Sequence, residues 1–247
     1  MNRNPNVAND NLVNRRWFCL TPAVLAIGLH TILLTSSIYH ELGFNLSIYS
    51  SASLISWLVS IQIIFASIKR PVEVIAIVMF PLTAAALLVE WTSDSTNILS
   101  STFSSGMQSH IMVSLIAYSL LMLGAIQALA LAYQHHAIKK HKPTGLVKKL
   151  PPLHDMESLL FQILDFGFLF FTASLISGFL IFDDLFAQHL IHKTVLAIIG
   201  WVTLLILLIG RHISGWRGLT AVRWSIVSFC FLVVAYFGSK FVLEVML

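Results

Sequence analysis

The chain has 247 residues, of which 57% are hydrophobic and only 11% charged, with a formal net charge of +4. Its mean hydropathy is +0.84. Soluble domains carry about 25% charged residues, so this composition excludes a water-soluble globule and implies a polytopic membrane protein.

A bilayer core of about 30 Å needs about 20 apolar residues to cross it. Residues 1–16 read as an N-terminal tail. Within it Asn14-Arg15-Arg16-Trp17-Phe18 resembles a twin-arginine export signal. The apolar run that follows is longer than a signal core and ends in no small-x-small cleavage site. It predicts an uncleaved first span, Trp17–Tyr39. Leu46–Ile68 is the second, and Val72–Val89 the third and weakest, because Pro81 interrupts it. A Ser-, Thr- and Asn-rich connection over 90–109 reads as solvated or re-entrant.

His110–Tyr133 is the fourth span; its Gly124, Ala128 and Ala132 form a small-residue ridge that lets a helix backbone come close. A basic loop punctuated by Lys142-Pro143-Thr144-Gly145 follows. After Pro151-Pro152, Leu153, Met156, Leu159, Leu160 and Ile163 recur at helical spacing, an amphipathic lead-in to the fifth span, Leu159–Ile181. Ser174 and Gly178 repeat the small ridge there. Ile191–Ile209 and Val222–Leu247 complete the set, joined by Gly215-Trp216-Arg217-Gly218, which reads as a topology-locking turn. The expectation is an all-α bundle of about seven spans, one transmembrane domain over residues 17–247.

Charge placement gives the orientation. With the N-terminus inside, Arg3, Arg15, Arg16, Lys69, Arg70, Lys139, Lys140, Lys142, Lys148, Lys149, Arg211, Arg217 and Arg223 all fall on inner segments. Of the 15 basic residues only Lys193 and Lys240 fall outside. Positive-inside bias of this kind predicts a cytoplasmic N-terminus and a periplasmic C-terminus. It also explains the isoelectric point near 9.2 without a nucleic-acid partner; the lipid bilayer is the partner expected.

Catalytic motifs are wanting. There is no Gly-rich phosphate loop, G-x-S-x-G or H-E-x-x-H. Cys19 and Cys230 have neither C-x-x-C nor C-x-x-C-H spacing, which argues against a dithiol oxidoreductase and a c-type cytochrome. Histidine carries the functional signal instead. His30 lies about 21 Å along its helix from Arg16, in the outer half of the membrane, while His110 and His192 open the fourth and sixth spans on the outer side. An ionisable residue at membrane depth is costly and marks a functional site or a satisfied interior contact. Outer-half histidines can hold haem iron inside an apolar bundle. Asp183, Asp184, His189 and His192 can instead be read as a loose metal site or as a solvated acidic loop, the latter being favoured. His40, His135, His136, His141, His154 and His212 read as loop residues. Asp165 is a membrane-buried acid, on a proton path or capped by Gln162.

Several strings resemble the cytochrome c assembly protein family: His110-Ile-Met-Val-Ser-Leu-Ile-Ala-Tyr118, Leu150-Pro-Pro-Leu-His-Asp-Met-Glu157, His192-Lys-Thr194 with Trp201, Gly210-Arg-His-Ile-Ser-Gly-Trp-Arg-Gly218, and Tyr236-Phe-Gly-Ser-Lys-Phe-Val-Leu-Glu244. They are most similar to its HemX- and YpjD-like inner-membrane branch, related to the CcsA and CcmC haem-handling proteins. The resemblance covers residues 20–247 and implies haem held near the outer face and passed to apocytochrome c. It makes His110 the external haem ligand, places His192 at the start of the later span, and gives His30 as the intramembrane histidine. The tryptophan-rich WWD segment of the family is absent; Phe182-Asp183-Asp184-Leu-Phe-Ala-Gln-His189 stands in its place. Related chains commonly have eight spans, so seven implies that the first is lacking here. Lys240 and Glu244, four residues apart, read as an interfacial pair or as partners for haem propionates, the pair being favoured.

The sequence therefore predicts a bacterial inner-membrane protein that binds haem b, with no metal beyond the haem iron and no catalysis. His110 and either His192 or His30 are the expected axial ligands, and apocytochrome c or other assembly factors the expected partners. The alternatives are a haem-free accessory or regulatory protein for a transporter or tetrapyrrole-synthesis enzyme, and a small-ion carrier using Asp165 and the outer acidic loop.

Overall fold

The computed structural model describes residues 5–40, 43–69, 72–93, 98–100, 104–140, 150–181 and 191–241. These residues form α1 (Pro5–Ile38), α2 (Ile48–Lys69), α3 (Glu73–Trp91), α4 (Ser105–Lys139), α5 (Leu153–Ile181), α6 (Ile191–Ser214) and α7 (Gly218–Phe241). The last passes through a π-helical turn at Val234–Gly238. In lipid every backbone polar group must be satisfied within the protein, which is why such apolar stretches become helices. Six of them are long and apolar enough to cross a membrane; the apolar part of α3, Ile75–Trp91, is shorter and contains Pro81. Each expected span is thus a helix, and the segment read as a tail is already helical from Pro5.

Three short strands add to the helices: β1 (Tyr39–His40), β2 (Gly43–Asn45) and β3 (Ile98–Ser100), antiparallel in the order β1-β2-β3. They lie at the end of the bundle away from the basic segments. Part of the 90–109 connection, read from the sequence as solvated or re-entrant, therefore pairs with the α1–α2 connection. Ser104 then caps α4, its hydroxyl accepting from the Met107 amide at 3.3 Å.

The most extensive packing is between α4 and α5, and the small ridges explain it. A Cβ on Gly124 would lie 3.0 Å from Leu164 Cδ2, and one on Gly167 2.8 Å from Leu121 Cδ2. Two glutamines on the same side of α4 grip the chain entering α5. Gln127 Nε2 donates to the Met156 carbonyl and Gln134 Nε2 to the Pro151 carbonyl, both at 2.8 Å. The lead-in and the fifth span consequently form one helix, Leu153–Ile181. Leu121, Leu160, Phe161, Leu204, Leu207 and Leu232 are buried at the centre of α4–α7, and a smaller cluster around Val59, Ile63 and Met79 joins α2 and α3 to them.

The basic end is tied by charge and by a tight turn. Gly215 and Gly218 adopt φ of +63° and +56°, a region that glycine enters without strain. Between them Trp216 folds back so closely that a Cβ on Gly210 would sit 2.5 Å from its ring, which stacks on Trp224 at 5.4 Å. Glu157 accepts from the Gly218 amide at 3.3 Å and pairs with Arg217 at 3.8 Å. Asp165 pairs with Arg211 at 3.7 Å, and the Arg211 guanidinium lies 3.9 Å from the Phe161 ring centroid. A partner from α6, rather than Gln162 alone, accounts for this acid; the Gln162 amide donates to Ser158 at 3.3 Å.

Candidate functional site

At the sheet end, α4, α5, α6 and α7 surround a cavity of about 390 Å³, within the range of about 300–1,000 Å³ typical of small-molecule sites. Leu115, Phe171, Leu175, Phe179 and Ala197 give it apolar walls, and His110, Lys193, Lys240, Tyr118 and Tyr236 supply the polar groups.

His110 is half-buried on α4 against α5. Gly178 leaves room for its ring: a Cβ there would stand 3.2 Å from His110 Cε1. Its Nδ1 lies 2.8 Å from Ser177 Oγ, and that hydroxyl donates its one proton to the Ser174 carbonyl at 2.9 Å. Ser177 therefore accepts from His110, the proton resides on Nδ1, and the imidazole lone pair falls on Nε2. An outer partner that fixes the tautomer in this way is the arrangement that supports a metal-ligating histidine. One turn on, Ser114 and Ser174 bond across the same helix pair at 2.7 Å.

The opposite wall is built on α7. Tyr118 donates to the Leu232 carbonyl at 3.0 Å, just before the π-helical turn, and its ring lies 5.2 Å from that of Tyr236 within the turn. Such turns recur at functional sites. Tyr236 donates to Ser51 Oγ at 3.0 Å. Two ammoniums approach its ring, Lys193 Nζ at 5.2 Å from the centroid and Lys240 Nζ at 5.3 Å. Lys240 also donates to Ser51 Oγ at 2.9 Å and to the Leu46 carbonyl. Glu244, expected as its partner, lies outside the described residues.

Of the three histidines singled out from the sequence, the cavity contains one. His192 is exposed in the first turn of α6 and does not line the cavity; its neighbour Lys193, about 100° further round the helix, does. His30 is buried in the other half of the bundle, its Nε2 2.9 Å from Ser53 Oγ, as expected of an interior polar residue with a hydrogen-bonded neighbour. It belongs to a hydroxyl-rich seam. Trp57 Nε1 donates to Thr31 at 2.9 Å, Ser37 to Glu90 Oε1 at 2.8 Å, and Ser60 lies 3.0 Å from Thr83 Oγ1. Asp183, Asp184 and His189 lie outside the described residues, among which no group of three metal-ligating side chains occurs.

Sequence reasoning passed over Lys193, Tyr118, Tyr236 and Ser177. One signal was available: Lys193 and Lys240 are the two exceptions to the positive-inside pattern, and both reach the same ring.

Comparisons with known proteins agree with this architecture. The family model described as "Cytochrome C assembly protein" matches residues 17–247. The inner membrane protein YpjD of Escherichia coli K12 is 32% identical over 231 residues, covering 92% of this chain and 87% of its own. An uncharacterized 28.8 kDa protein of Azospirillum brasilense is 34% identical over 140 residues, 56% of this chain and 52% of its own. No solved structure matches the chain.

Proposed function

The chain belongs to the cytochrome c assembly protein family, and from that membership we propose that it is an integral inner-membrane protein that binds haem b in the cavity at the sheet end, with His110 as a protein ligand to the iron. The observation that carries this reading is that His110, its Nδ1 held 2.8 Å from Ser177 Oγ, lines a largely apolar cavity.

The donor set suits the group. Imidazole is a common axial ligand of haem iron, apolar walls suit the macrocycle, and two lysines suit its acid groups. Bound there, haem would supply an iron centre that the protein holds or hands on. The chain's own residues do the rest. Ser177 orients the imidazole, Gly178 makes room for it, and Leu115, Phe171 and Leu175 keep water from the interior. His192 and His30 stand apart from the cavity, so neither joins His110 as a second ligand in the proposed arrangement. The role is holding and delivery rather than catalysis, in the service of cytochrome c assembly. Apocytochrome c or other assembly factors are the proposed partners.

Absorption spectra of the detergent-purified protein, oxidised and reduced, beside His110→Ala test this. The expected result is a b-type spectrum that the substitution shifts or weakens at least about tenfold in haem affinity, the effect of losing one strong contact. A wild type that stays colourless after haem is supplied would discard the reading and favour a haem-free accessory role.

A further inference from the structure

The four helices around the cavity are not joined alike. At the level of the cavity α4 is bonded to α5 by His110–Ser177 at 2.8 Å and by Ser114–Ser174 at 2.7 Å. It is bonded to α7 by Tyr118 on the Leu232 carbonyl, and α6 meets α7 where Lys193 Nζ stands 5.2 Å from the Tyr236 ring centroid. α5 and α6 are joined further from the sheet. Trp201 Nε1 donates to Thr172 Oγ1 at 2.8 Å, the Trp201 ring stacks on Phe168 at 5.4 Å, and Asp165 pairs with Arg211 nearer the basic end. Steps of three, four and seven residues keep to one helix face, and seven residues climb about 10 Å. The faces that meet at Thr172 and Trp201 therefore continue towards the sheet as Leu175 and Phe179 on α5, and as Ala197 and Thr194 on α6. All four line the cavity. The indole gives way to alanine and threonine, whose small side chains leave open the space that Trp201 fills below.

Phe179 is 51% exposed although it lines the cavity. Its neighbours Ile176 and Leu180 are exposed as well, and so apolar a face on a membrane helix meets lipid. We propose that the ligand enters and leaves the cavity through the membrane leaflet at the sheet end, between α5 and α6, with Phe179 at the lip and the Trp201–Thr172 bond as the floor. This route asks for little reorganisation. Parting α4 from α5 or from α7 breaks hydrogen bonds between helices. Parting Leu175 and Phe179 from Ala197 exchanges one apolar neighbour for another, since lipid tails are as apolar as leucine. The route suits a ligand that dissolves in the bilayer, flat and largely apolar. For haem the proposal rests on the cavity being the haem site, and it adds the side from which the haem arrives.

The test uses the full chain in lipid nanodiscs, with Cys19→Ser and Cys230→Ser as background and single cysteines at three positions. Phe179→Cys marks the lip, Leu169→Cys the exposed face of α5 beyond the floor, and Ser109→Cys the exposed sheet end of α4 beside His110. A bulky label is attached to each through a reducible disulfide, and haem uptake is followed by stopped-flow absorbance. The expected result is uptake at least about tenfold slower with the label on Phe179→Cys, restored by reductant, and unchanged within about twofold at the other two. Uptake that the label on Phe179→Cys leaves unmoved, or that only the label on Ser109→Cys slows, gives entry from water and overturns the proposal. A second measurement needs no haem. A small apolar carbene precursor dissolved in the bilayer is photolysed, and its attachment is mapped by mass spectrometry. Attachment at Leu175 and Ala197, lost when Phe179→Cys carries its label, supports the route. Attachment that stops at Ile176 and Leu180 on the lipid face overturns it. A chain that passes the carbene test but gives no haem spectrum loses the His110 assignment and keeps the route.

Discussion

Helices α1–α3 carry a seam of hydroxyl contacts beside a small apolar cluster, while α4–α7 meet mainly through leucine and phenylalanine. In the first group Ser50, Ser51, Ser53, Ser56, Ser60, Thr83, His30 and Glu90 are all buried; in the second Phe161, Leu160, Leu164, Leu204, Leu207 and Leu232 are among the most deeply buried side chains. Hydrophobic burial drives neither group together in lipid, since the tails are as apolar as leucine. The C-terminal helices gain from shape, with glycines admitting the neighbour's side chains. The N-terminal helices gain from polar contacts that lipid cannot offer. The cavity lies in the shape-packed group, whose rigid walls suit a ligand. What the contrast teaches is that the cost of a substitution depends on volume in one group and on the partner left behind in the other.

Three substitutions sharpen or break that contrast, each read as thermal or denaturant stability in detergent. Leu204→Ala should cost most, about 2–5 kcal/mol, because it empties a fully buried position among α4, α6 and α7. A cost below about 1 kcal/mol would mean that this core is not tightly packed. Ser37→Ala should come next, at about 1–2 kcal/mol, since it strips the hydrogen bond from Glu90 Oε1 when Oε2 is already buried without a partner. Ser60→Ala should cost least, about 0.6 kcal/mol, the mean for a hydrogen bond between membrane helices. Thr83 keeps a second acceptor in the Ser56 carbonyl, at 3.4 Å. If Ser60→Ala proved as costly as Ser37→Ala, the seam would be one cooperative network rather than separate contacts.

The contrast between the groups was only partly legible in the sequence. Spans were legible because their signal is local: the expected Leu46–Ile68 is the helix Ile48–Lys69, and the expected Leu159–Ile181 ends where α5 ends. The small ridge from Gly124 proved to be a helix contact for the same reason. The serines of α2 were overlooked, although Ser53, Ser56, Ser60 and Ser67 recur at steps that keep them near one helix face. At the cavity, His110 could be singled out as an ionisable residue opening a span. Its orientation by Ser177, 67 residues away, could not, nor could the meeting of Lys240 with Ser51 across 189 residues. Such contacts depend on which helices become neighbours, and hydropathy is silent on that. The three short strands were missed because two or three residues carry no periodicity.

The bonds from Lys240 to Leu46 and Ser51, and from Tyr236 to Ser51, join the far end of the last helix to the start of the second. A ribosome delivers these ends in the opposite order from the one that closure requires. α2 enters the membrane early, and its Leu46 carbonyl and Ser51 hydroxyl must wait until α7 emerges. Chains grow at about 5–20 residues per second, so that interval lasts on the order of ten seconds or more for residues 189 positions apart. Throughout it the beginning of α2 is an unsealed polar edge, served by water, lipid headgroups or an insertion chaperone until α7 closes it.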